Sequence, residues 1–120
     1  MEVKTLGEME LEVYENNVDK GWFDGERSFG DDIALLHTEV SEMFEAFRKG
    51  GLADLTRPDR VFADDIEILA KPEGVGSEAA DVLIRLLDTC KRAGIELEWE
   101  YERKMAYNRT RPYKHGGKTV

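Results

Sequence analysis

A chain of 120 residues, 41% of them hydrophobic, carries enough apolar material for one core, so a single domain over residues 1–120 is expected. Its 26 acidic against 17 basic residues give a formal charge of −9, which argues against a general nucleic-acid binder, since that role needs a basic footprint. For a phosphate-bearing ligand the same balance demands metal ions or a local basic cluster.

The first helix is predicted over about Leu6 to Asp19, with Leu6, Met9, Val13 and Val18 on one face. A glycine-rich stretch follows, GWFDGERSFGDD, holding Trp22 and Phe23. A loop tryptophan of this kind either stacks on a base or packs into the core. Ser28 suits an N-cap, with Asp31 or Asp32 favourable at the positive helix end.

The second helix is predicted from about Asp31 to Lys49, stopped by Gly50 and Gly51. Ile33, Leu36, Val40, Met43, Phe44 and Phe47 form its apolar stripe, which is expected to face the core. At about 100° per residue, Glu39 and Glu42 fall on a strip beside that stripe, shared with Leu35 and Ala46. Glu45 lies further round, nearer solvent. His37 has no Ser or Cys partner in view and suggests no nucleophilic triad.

From Gly51 to Gly76 the pattern breaks, with Pro58, Pro72 and the run FADDIEIL. A segment of that length is a functional loop, a short extra element or a mobile stretch. The third helix is predicted from about Ser77 to Arg92. Its apolar residues, Ala79 through Cys90, cover about 200° of the circumference, which places the helix centrally among several neighbours. Cys90, the single cysteine, reads as a small core residue with no internal disulfide partner. The remaining strip carries Glu78, Asp81, Arg85, Asp88 and Arg92, and Gly94 ends the helix. A fourth helix is predicted from about Ile95 to Asn108, before Pro112 forces the chain out of helix. No strand of convincing alternation is present, so the fold class is all-α with four main helices. No apolar run is long enough for a membrane span, and MEVKTLGEMELEV is too acidic for a signal peptide; a cytoplasmic protein without a membrane partner is expected.

Two acid pairs, Glu39 with Glu42 and Glu78 with Asp81, each stand three residues apart and so share a helix face. Four carboxylates from two packed helices suit a hard divalent cation. Two solvated helix faces would show the same spacing. Lys104, Asn108 and Arg111, followed by Lys114, His115 and Lys118, group cationic and amide donors suited to a phosphate chain. An ordinary basic helix C-terminus would look alike.

The pieces HTEVSEMFEAFRKG, PEGVGSEAADVLIRLLD and KMAYNRTRPYKHGGK, in that order, resemble the MazG-like branch of the all-α nucleoside triphosphate pyrophosphohydrolases, over roughly Gly21 to Lys118. That resemblance implies a four-helix bundle-like, MazG-type fold completed by oligomerisation, as a homodimer or homotetramer. It implies Mg²⁺, with Mn²⁺ as a substitute, on Glu39, Glu42, Glu78 and Asp81. It also implies phosphate contacts from Lys104 and Asn108 with Arg111 assisting, and base stacking by Trp22. The implied reaction takes a (d)NTP to (d)NMP and pyrophosphate; one carboxylate of the cluster, with Glu42 or Glu45 the best candidates, is expected to accept the proton of the attacking water. A phosphoribosyl-nucleotide pyrophosphohydrolase and a non-catalytic nucleotide-sensing helical regulator are the alternatives. The long proline-containing segment between the acid pairs departs from many relatives and bears on substrate choice.

Overall fold

The computed structural model describes residues 3–21, 25–52, 60–63, 66–69 and 73–114, and these form four helices and one β-hairpin. α1 (Leu6–Asp19) opens with a capping box, in which the Thr5 hydroxyl accepts from the Glu8 amide and the Glu8 carboxylate accepts from the Thr5 amide. Two amide donors that an uncapped helix leaves bare are thereby satisfied. α2 (Phe29–Gly50) repeats the device with Ser28 and Asp31, which is why it starts ahead of the predicted Asp31. It ends at Gly51, whose φ of 64° is open to glycine without steric penalty.

α3 (Val75–Ala93) closes on Gly94 in the left-handed region, and the Ile95 amide returns to the Cys90 carbonyl. That turn uses up Ile95 and Glu96, so α4 (Leu97–Thr110) begins later than the sequence pattern suggested.

α3 is central, packed against α2 and also against α1, while α4 packs on α1. Leu87 and Cys90 are the buried apolar centre. Burial pushes the Cys90 thiol up, which fits an inert core residue. The expected polar strip of α3 does not face solvent throughout: Asp88 is as buried as Leu87, covered where Asn17 of α1 and Arg27 meet it, and its neighbour Thr89 is buried too.

The apolar stripe of α2 departs from expectation in its second half. Ile33, Leu36 and Met43 are half-buried, but Val40, Phe44 and Phe47 stay 44%, 59% and 44% exposed. The stripe is longer than α3 alone can cover, and α4 lies on α1 instead of closing over it.

Between α2 and α3, β1 (Arg60–Ala63) pairs antiparallel with β2 (Ile66–Leu69), Arg60 opposite Leu69 and Ala63 opposite Ile66. This hairpin is the short extra element among the alternatives for residues 51–76. Among the described residues, no helix is long and apolar enough to cross a membrane.

Candidate metal centre and adjoining cavity

The packing of α2 on α3 brings Glu39 to Glu78 and Asp81. Each offers a carboxylate oxygen, and the three oxygens lie within 4.8 Å of one another. Glu39 and Glu78 are half-buried and Asp81 is exposed. Glu78 Oε2 is buried without a hydrogen-bond partner, an expensive state for a carboxylate oxygen. Burial raises the Glu78 carboxyl above its ordinary value, and the charges of Asp81, Glu42 and Glu39 push it further. An all-oxygen set with one orphaned, buried oxygen fits a hard cation, which would neutralise the repulsion and take up the unpartnered oxygen.

Three of the four expected metal ligands thus come together. Glu42 is exposed and stands outside the tight set, although its charge reaches Glu78. Glu45 is exposed and meets Arg48 at 3.7 Å. Lys104 and Asn108 are exposed on α4, and Arg111 is half-buried with its guanidinium 5.8 Å from the Tyr107 ring centroid. None of those three lines the cavity beside the acids. Trp22, His115 and Lys118 lie outside the described residues. His37 is exposed.

That cavity, about 180 Å³, runs from Glu39 and Asp81 to Asn17, Arg27, Arg85 and Asp88. Its far wall is a buried polar network. Asn17 Nδ2 donates to Asp88 Oδ1 at 3.0 Å, and Arg27 Nη2 approaches Asp88 Oδ2 at 3.5 Å. Arg27 Nε lies 3.1 Å from Asp32 Oδ1, an ion pair too misaligned for a hydrogen bond, and Arg92 Nη1 donates to the same oxygen at 3.1 Å. Asp32 and Asp88 are 4% and 2% exposed, and these cations and the amide supply the partners that burial takes from water. At the near wall, Arg85 Nη2 meets Glu39 Oε1 at 3.3 Å.

Sequence reasoning passed over Asn17 and Arg27, and read Asp88 and Arg92 only as members of a polar strip. The signal for Asp88 was its setting in LLDTC, where buried neighbours on both sides leave a charge little access to water.

No family model, curated protein or solved structure matches this chain.

What the site can do follows from its own groups. The three carboxylates stand at one end of a cavity also lined by Arg85, Arg27 and Asn17, the last two bonded to Asp88. Carboxylates and cationic and amide donors thus share one site suited to a divalent cation and an anion together.

Proposed function

We propose that this protein is a Mg²⁺-dependent nucleoside triphosphate pyrophosphohydrolase of the MazG-like all-α type, cleaving between the α- and β-phosphates to a monophosphate and pyrophosphate. The observation that carries the reading is the gathering of Glu39, Glu78 and Asp81 beside a cavity furnished with Asn17, Arg27 and Arg85. Mg²⁺ or Mn²⁺ held there supplies charge neutralisation for the phosphates and acidifies water.

Glu39, Glu78 and Asp81 would hold the ion, with Glu42, whose charge reaches Glu78 although it stands outside the tight set, as the fourth candidate ligand. Glu42 and Glu45 are the candidate bases for the proton of the attacking water, and Glu45 also meets Arg48 at 3.7 Å. Lys104 and Arg111 neutralise the β- and γ-phosphates, Asn108 donates hydrogen bonds to them, and together they stabilise the leaving group. Since they do not line the cavity of their own chain, the reading includes a second copy whose α4 brings them to the site. The open stripe of Val40, Phe44 and Phe47 is the surface on which that copy packs, giving a homodimer or homotetramer.

The test is pyrophosphate release by the purified chain across nucleoside triphosphates and one phosphoribosyl nucleotide, with and without Mg²⁺. Release that requires the metal supports the reading. No release from any triphosphate contradicts it, and binding without product points to a sensor. Asp81→Asn should abolish turnover while helical content is kept.

A further inference from the structure

Arg85 belongs to both parts of the site. It stands one turn beyond Asp81 on α3, lines the cavity with Asn17, Arg27 and Asp88, and meets Glu39 of α2 through one nitrogen. At 3.3 Å the contact is longer than the roughly 2.7–2.9 Å of a tight charge-assisted bond, and it is not bidentate. The Arg85 side chain is 25% exposed and lines the open cavity.

Charge balance sharpens the point. Three carboxylates against one guanidinium leave the metal-free site with two uncompensated negative charges. A divalent cation, however, would draw on the Glu39 carboxylate that Arg85 now holds through Oε1, and the two positive charges would repel each other there. The guanidinium is therefore a stand-in for the missing charge and a competitor for one of its ligands.

We infer that Arg85 is an exchangeable counter-ion: it occupies Glu39 until Glu39, Glu78 and Asp81 take a divalent cation, and its released guanidinium then receives an anionic oxygen of a nucleoside polyphosphate in the adjoining cavity. The identity of cation and nucleotide rests on the function proposed above. The exchange makes the two ligands interdependent. The cation alone binds against the cost of displacing Arg85, and the nucleotide recovers that cost by taking the freed guanidinium. By linkage each ligand then strengthens the other by the same factor. Arginine suits the task because its planar fork fits both carboxylate and phosphate oxygens.

Calorimetry on the full chain tests this, titrating Mn²⁺ alone and a non-hydrolysable α,β-imido nucleoside triphosphate with and without Mn²⁺, for wild type, Arg85→Met and Arg85→Lys. Arg85→Met is expected to bind Mn²⁺ several-fold more tightly than wild type. The help that Mn²⁺ gives to analogue binding should shrink about tenfold. Arg85→Lys, which keeps the charge without the fork, should fall between them. Circular dichroism checks each variant for fold, and Arg85→Lys carries the test if the methionine variant fails to fold. A guanidinium acting only at a distance, or only tying α2 to α3, would leave the coupling between the ligands intact, and that result overturns the exchange while the proposed function stands. A wild-type chain that binds neither Mn²⁺ nor analogue overturns the proposed function and the exchange with it.

Discussion

At Glu78 burial and the gathering of carboxylates act on the same group. Its carboxyl is raised first by burial and then by Asp81 and Glu42. A raised carboxyl favours the neutral form in the fold. Its contribution to stability is therefore complete below the ordinary carboxylate value and is lost as pH rises through the raised one. Glu78→Gln removes that loss. Thermal melts of the metal-free variant should depend less on pH than those of wild type and lie a few degrees above them at neutral pH, with turnover gone. A variant that melts below wild type at neutral pH would show that Glu78 is not where the repulsion is stored. The pairing of Glu78 with Asp81 was legible in the sequence because a spacing of three has a local geometric meaning, but the same spacing did not bring Glu42 into the tight set with Glu39. The ion pair of Arg85 with Glu39 was not legible, since it joins residues on two helices and depends on how α2 and α3 pack.

The buried network ties elements together. Arg27 spans Asp32 of α2 and Asp88 of α3, Asn17 adds α1, and Arg92 returns from α3 to Asp32. Asp32→Ala leaves two cations facing each other around an empty carboxylate site. Urea unfolding should register a loss of about 3 kcal/mol or more. A loss below about 1 kcal/mol would mean that water screens the network as it does a surface pair. Helix starts and stops were readable from Ser28, Gly51 and Gly94, whose effects reach only a few residues. Asp32 also looked local, a favourable charge at a helix N-terminus; its pairing with Arg27 and Arg92 comes from packing. The hairpin escaped notice because its two strands are only four residues each, too short for alternation to stand out.

For the molecule as a whole, the open stripe on α2 is the clearest unmet demand. Phe44 and Phe47 stack on each other at 6.4 Å between centroids, yet remain largely exposed. Periodicity correctly marked these residues as an apolar face, but it does not say whether the covering surface belongs to the same chain. Sedimentation should find the protein as a dimer or larger, and Phe44→Lys should shift it toward monomer and remove activity. A wild-type chain that sediments as a monomer and is active would show that one copy completes its own site. The most direct measurement is a ³¹P spectrum of a nucleoside triphosphate mixture incubated with the chain, with and without Mg²⁺. Monophosphate and pyrophosphate signals that appear only with Mg²⁺ are the predicted result. Unchanged triphosphates, or diphosphate with inorganic phosphate, would contradict it.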